Sequence, residues 1–127
     1  MDKTAITTQK TSLYERLGSE LGVRKIVNDV LDKNANNPLI GHHFNNIDMD
    51  KLKQLVFEFF SMGTGGPHKY SGRDMRTSHT GMHINETEWA SATDDTVWAL
   101  DTNGIGQAEK NEVIAILESL KGDIVAI

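Results

Sequence analysis

The side chain best suited to chemistry is His79, which follows a glycine-rich loop that begins at Gly63. Met75, Ser78 and Met82 recur around it at spacings of three and four residues, which predicts one face of a short helix. A neutral imidazole is a good transition-metal ligand, and two polarisable thioethers beside it form a wall suited to a large, flat, apolar ligand. His79 is therefore the candidate metal ligand.

The other four histidines are weaker candidates for a metal ligand than His79. We interpret His42, His43, His68 and His83 as core or surface residues, because a histidine is usually one of these when nothing else marks it. His79 and His83 stand four residues apart and could together hold a divalent metal on adjacent helical turns. No glutamate lies between them and no third ligand is evident, so this remains the weakest alternative.

Composition sets limits on the class of protein. The 127 residues are enough for one domain with a ligand cavity, and we expect a loose tail over 1–11 and the domain over 12–127. A net charge of −5 with no block of like charges disfavours nucleic acid and anionic membranes. The absence of cysteine excludes disulfides and thiolate metal sites. We find no apolar leader or membrane span and expect a cytoplasmic monomer.

Helical periodicity accounts for most of the chain, and no stretch alternates as a strand would, so we expect an all-α fold. Ser12-x-x-Glu15 and Asn85-x-x-Glu88 are capping boxes, and Asp48 is a further N-cap. The first helix should close at Gly18 after about two turns. The longer helices are predicted at 20–34, 49–62, 86–102 and 107–123. Their inward residues should include Leu21, Val23, Ile26, Val27, Val30 and Leu31, then Met49, Leu52, Leu55, Val56, Phe59 and Phe60.

Several motifs, taken in order, resemble one family. They are Leu-Tyr-Glu-Arg-Leu-Gly at 13–18, Phe44 followed by Asn-Asn-Ile-Asp-Met to 49, Gly65-Gly66-Pro67, and Tyr70-x-Gly72-Arg73-x-Met75-Arg76-x-x-His79. Their order and spacing are similar to those of the truncated haemoglobins of group I, over 12–127 without a large gap. The resemblance implies a globin-like two-over-two helical sandwich around haem b, iron protoporphyrin IX, with His79 as the proximal iron ligand.

The resemblance also implies which residues surround the haem. The second ring nitrogen of His79 should donate to a backbone carbonyl that fixes the ring, and Phe44 should stack on the haem. The two propionates need cationic or hydroxyl partners, for which Lys53, Tyr70 and Arg73 are candidates. The remaining candidate haem neighbours are Leu52, Leu55, Val56, Phe59, Met75, Met82, Ile84 and Trp89.

On the distal side the sequence departs from the family pattern. Leu31 stands where the family often has tyrosine, and Leu52, Leu55 and Val56 stand where it often has glutamine or histidine. The gas pocket therefore lacks a hydrogen-bond donor, unless Gln54, Lys53 or a histidine of the 38–44 loop reaches it.

The resemblance and this apolar pocket lead to one preferred function and two alternatives. We expect reversible binding of oxygen, carbon monoxide or nitric oxide at iron, in a carrier, store or sensor. The enzymatic alternative is a nitric oxide dioxygenase, which would need long-lived bound oxygen and a reductase partner. The remaining alternative is a helical protein that binds a non-haem divalent metal.

Overall fold

The computed structural model describes residues 11–126, and every regular element in that range is helical. The expected all-α fold is confirmed. The tail expected over residues 1–11 lies outside the described residues, except for Thr11. No helix within 11–126 is long and apolar enough to cross a membrane. The α-helices are α1 Leu13–Arg16, α2 Ser19–Ala35, α3 Met49–Gly63, α4 Met75–His79, α5 Glu86–Thr102 and α6 Gln107–Leu120, with 3-10 helices at Gly41–Phe44 and Lys121–Asp123.

Helix α2 lies at the centre of the fold. It packs against α1, α3, α5 and the first 3-10 helix, while α6 packs against α5 and α1. Buried apolar side chains from these helices form one continuous core, as expected for a domain of this size. Its members are Leu13, Tyr14, Leu17, Val23, Ile26, Val27, Val30, Leu31, Phe57, Ala99, Leu100 and Val113.

The predicted helix starts are confirmed. The Ser12–Glu15 and Asn85–Glu88 capping boxes are both complete, and the Asp48 side chain accepts from the backbone N–H of Lys51. Helix α1 is a single turn rather than two, because Gly18 adopts a left-handed conformation with φ of 105° and redirects the chain into α2. These caps fix where α1, α3 and α5 begin.

The burial pattern differs from the prediction on α2 and α3. Leu55 and Phe59, expected to face inward, are only half-buried and lie on the side of α3 opposite Phe57. Leu21 is 84 % exposed, because it lies on the solvent side of α2, opposite Val23 and Val30. Phe57 is 1 % exposed and was missed, since α3 is apolar on both sides and its periodicity did not reveal which side faces α2.

The helix that carries His79 is shorter than predicted. It ends at His79 itself, because Thr80 turns to an extended conformation and Gly81 takes a φ of 85°. Met82 therefore does not share a helical face with Met75, and His83, with φ of 55°, is not on a following helical turn. The helical spacing that the His79–His83 metal hypothesis required is absent.

Candidate functional site

The ring orientation of His79 is fixed from within its own helix. Its Nδ1 lies 2.8 Å from the carbonyl oxygen of Met75 and 2.9 Å from Ser78 Oγ. Ser78 Oγ also donates to the Met75 carbonyl, at 3.1 Å. Because a carbonyl oxygen can only accept, Nδ1 carries the proton and donates, as predicted. The lone pair is then on Nε2, the ring nitrogen a metal would use.

Helix α4 is anchored by contacts with the C-terminal region. Arg76 Nη2 donates to the carbonyl of Gly122 at 3.2 Å and lies 3.2 Å from Asp123 Oδ1. Past the end of α4, the N–H of Ala126 donates to the carbonyl of Ile84 at 2.9 Å. Helix α4 also makes backbone contacts with the 3-10 helix Lys121–Asp123. The position of His79 thus depends on residues more than 40 positions further along the chain.

Helix α3 has two apolar faces. Phe57 and Ser61 point to the core, and in a helix of 3.6 residues per turn Leu55 and Phe59 lie on the other side, whereas Leu52 packs against the core cluster. Leu52, Leu55 and Phe59 are only half-buried. Within the described range, α3 makes extensive backbone contact with α2 and with no other helix. The second face is therefore apolar and only half-buried, which suits contact with an apolar ligand.

The structure does not bring the four predicted distal residues together on one face. Leu31 belongs to the core cluster, and Leu52 and Val56 pack against that cluster; Leu55 lies on the second face of α3. The other apolar candidates are also half-buried, as expected of side chains that border a ligand space. They are Phe44, Phe59, Met75, Met82, Ile84 and Trp89.

The polar candidates on α3 are engaged elsewhere. Lys53 Nζ lies 2.8 Å from Asp32 Oδ1 and 2.8 Å from Asn28 Oδ1, both on α2. Gln54 accepts from Arg24 Nη1 at 2.9 Å. Lys53 therefore contacts α2, and neither Lys53 nor Gln54 lies on the face of Leu55.

The glycine-rich loop is tied to α3 by hydrogen bonds. The hydroxyl and the N–H of Ser71 donate to Glu58 Oε1 at 2.6 and 3.0 Å, and they hold the pKa of that carboxyl below its ordinary value. The Tyr70 hydroxyl donates to the carbonyl of Arg73 at 2.5 Å, and its ring meets the Phe59 ring edge-on at 5.3 Å. Burial raises the pKa of Tyr70. The loop thus brings Tyr70 to the second face of α3, with the Arg73 side chain exposed beside it.

One glycine of this loop is required by packing. A Cβ on Gly66 would lie 2.6 Å from Tyr14 Cδ1, too close for any side chain. The Gly66 N–H donates to the Ser61 carbonyl at 2.7 Å, so the loop passes directly over the end of α3.

Three of the other histidines, His42, His43 and His68, have structural partners. His68 Nδ1 lies 2.8 Å from Ser61 Oγ, and its ring meets Phe57 edge-on at 4.7 Å. His42 and His43 both approach Glu88, across 46 and 45 positions of the sequence. The sequence offered no signal for that grouping, because Glu88 was explained by its capping box alone.

Trp89 presents a buried polar atom without a partner. Its indole Nε1 has no acceptor among the described residues, although a buried N–H is normally satisfied. Packing, rather than a hydrogen bond, therefore positions this ring at the start of α5.

Comparison with known proteins agrees with this geometry. The model of the bacterial-like globin family matches residues 12–126. A Group 1 truncated hemoglobin from Tetrahymena pyriformis is 27 % identical over 113 residues, covering 89 % of this chain and 93 % of the relative. Group 1 truncated hemoglobin GlbN from Mycolicibacterium paratuberculosis is 24 % identical over 116 residues, covering 91 % of this chain and 85 % of the relative.

Solved structures show the same fold. The Fe(III) form of the Tetrahymena pyriformis truncated hemoglobin superimposes with a TM-score of 0.88 at 26 % identity, covering 92 % of this chain and all of that one. The 2/2 hemoglobin of a Synechococcus species, solved in the cyanomet state with covalently attached heme, gives a TM-score of 0.84 at 26 % identity, covering 91 % and 98 %. The predicted globin-like fold is confirmed, and the chain belongs to the bacterial-like globin family.

Proposed function

We propose that this protein is a group I truncated haemoglobin that holds haem b through His79 and binds a diatomic gas reversibly beside an aliphatic surface. Its domain would be residues 12–127. The observation that carries the proposal is the 2.8 Å contact between His79 Nδ1 and the Met75 carbonyl. This contact leaves Nε2 free and increases its basicity, which suits a ligand of haem iron.

The surrounding residues fit a porphyrin. The second face of α3 supplies the half-buried Leu55 and Phe59, and Leu52, also half-buried, packs against the core cluster. In the proposed site these side chains and Phe44 would contact the flat apolar faces of the ring. Tyr70 and Arg73 remain the candidate propionate partners, whereas Lys53 is occupied by Asp32.

Bound haem would supply a ferrous iron that coordinates a small gas molecule. The chain's contribution on the gas side would be exclusion of water by Leu31, Leu52, Leu55 and Val56. The polar neighbours Lys53 and Gln54 form hydrogen bonds with groups of α2, which supports a pocket without a donor. Because nitric oxide oxidation needs oxygen that stays bound long enough to react, this arrangement favours gas binding over the dioxygenase.

The experiment is a visible spectrum of the purified, haem-loaded protein and of two histidine variants. His79→Ala deletes the proposed bond to iron and should lose most of its Soret absorbance after gel filtration. His83→Ala is the matched control, since His83 is exposed and lies outside α4. It should keep its haem.

Two outcomes would contradict the proposal. Equal haem loss from the two variants would show that His79 is not the unique ligand. A wild-type protein that remains colourless after incubation with haemin would exclude haem binding altogether.

A further inference from the structure

His42, His43 and Glu88 form a cluster of possible metal ligands that does not include His79. His43 Nε2 lies 3.2 Å and His42 Nε2 3.9 Å from the same oxygen, Glu88 Oε2. The ligating atoms of all three residues lie within 4.8 Å of one another. We propose that these residues form a second metal site, for a divalent transition-metal ion such as Zn²⁺.

The separations suit tetrahedral zinc. Zinc binds imidazole nitrogen and carboxylate oxygen at about 2.0–2.2 Å, so two ligand atoms of a tetrahedron lie roughly 3.3 Å apart. The His43–Glu88 distance of 3.2 Å already matches, and the His42–Glu88 distance of 3.9 Å needs only a small ring movement. Two imidazoles and one carboxylate with a fourth position open form a common zinc ligand set.

Two of the ligands are positioned before any metal arrives. Glu88 Oε1 accepts from the N–H of Asn85 at 3.0 Å in the capping box, which leaves Oε2 directed at the histidines. The side chains of Glu88 and His43 are 11 % and 15 % exposed, whereas that of His42 is 58 % exposed. The site is therefore shielded on one side and open to a metal on the other.

The site would join two parts of the proposed haem pocket. His43 directly precedes Phe44, and Glu88 directly precedes Trp89. A metal held between them would link the 3-10 helix Gly41–Phe44 to the first turn of α5. Zinc would thereby fix the spacing between two aromatic residues that we expect to contact haem.

The test is calorimetric titration of zinc chloride into the haem-loaded full chain. Haem loading occupies His79, so that uptake reports the second site; we expect one zinc per chain. Glu88→Gln removes the carboxylate but keeps the capping box, which accepts glutamine. Zinc binding should weaken more than about tenfold, since even loss of a supporting residue costs 10–100-fold. His42→Gln, at an exposed position, should weaken it similarly.

The control is His83→Gln, which removes an exposed imidazole from outside the cluster. It should bind zinc as the wild type does. Absence of stoichiometric uptake by the wild type would overturn the site. Unchanged zinc affinity in Glu88→Gln and His42→Gln would also overturn the site. Haem spectra like those of the wild type would show that these variants are folded.

Discussion

At the scale of single residues, the two sides of the proposed haem are determined by different means. On the proximal side, a hydrogen bond from Nδ1 fixes both the orientation and the tautomer of His79. On the distal side, aliphatic residues such as Leu31 offer no hydrogen bond at all. The hydrogen bond of His79 concerns haem retention, whereas the aliphatic distal residues concern which gas is retained. Separate substitutions can therefore test the two sides.

Leu31→Tyr should slow oxygen release. Oxygen acquires partial negative charge on binding and carbon monoxide acquires little, so a hydroxyl aimed at the gas stabilises oxygen selectively. A charge-assisted hydrogen bond contributes about 1.5–3 kcal/mol, which corresponds to roughly a ten- to hundredfold slower release. Stopped-flow dissociation of oxygen and carbon monoxide measures both rates.

Leu31→Phe is the control for this substitution. Leu31 is buried in the core, so any larger side chain strains the packing, and phenylalanine does so without the hydroxyl. If tyrosine and phenylalanine slow oxygen release equally, the effect is steric. A slow wild-type rate would show that a donor reaches the gas and would favour the dioxygenase.

At the scale of elements, the most consequential helix is α3, because it is apolar on two sides. Phe57 packs into the core while Leu55 and Phe59 face away from it. The glycine-rich loop then passes over the end of this helix and is held by Glu58, which accepts twice from Ser71. One of the contacts that hold the loop to α3 therefore involves an ionisable carboxylate, beside the bonds from Gly66 and His68 to Ser61.

Ser71→Ala should destabilise the protein in a pH-dependent way. The pKa of Glu58 lies below its ordinary 4.5, chiefly because the Ser71 hydroxyl donates to it, then because of the Ser71 N–H. Because the pKa of Glu58 is lower in the folded than in the unfolded chain, its ionisation stabilises the fold at pH values above the unfolded-state pKa. This stabilisation is lost as the pH falls through the folded-state pKa. The midpoint of urea unfolding should therefore differ between wild type and Ser71→Ala at neutral pH, and the difference should disappear in acid.

Ser119→Ala serves as the control for the pH dependence. The hydroxyl of Ser119 donates to the carbonyl of Ile116 and touches no carboxylate. Any change in its midpoint should be the same at both ends of the pH range. A Ser71→Ala difference that persists undiminished in acid would show that Glu58 is not involved.

The sequence was sufficient to predict most of this architecture, because its signals are local. Capping residues such as Asn85 and the period of α2 lie within one or two turns of what they determine. It failed where distant segments decide the outcome. The core face of α3 could not be assigned without α2, and the convergence of His42 and His43 on Glu88 requires the folded chain.

Considered as a whole molecule, the fold has a buried core on one side of α3 and half-buried apolar side chains on the other. Helices α1, α2, α5 and α6 share the core cluster with the inner face of α3. Helix α4 is not part of that cluster. The core should therefore be stable on its own, whereas the region around α4 should depend on the ligand.

Haem removal should therefore loosen residues 63–84 selectively. An empty site leaves the outer face of α3 and the α4 segment without packing partners, and ligand binding stabilises the folded state by mass action. Hydrogen exchange of the apo and haem-loaded forms measures this. Protection should fall in residues 63–84 and persist in α2, which is the internal control. Equal protection of 63–84 in both forms would contradict the coupling.

The attachment of α4 to Gly122 has a consequence for biosynthesis. A helix of five residues has almost no stability of its own, and its partner lies 46 residues further along the chain. During translation, chains emerge from the N-terminus and fold as segments become available. His79 leaves the ribosome long before the residues that hold it, so tight cofactor capture must wait until the 122–126 segment has been synthesised.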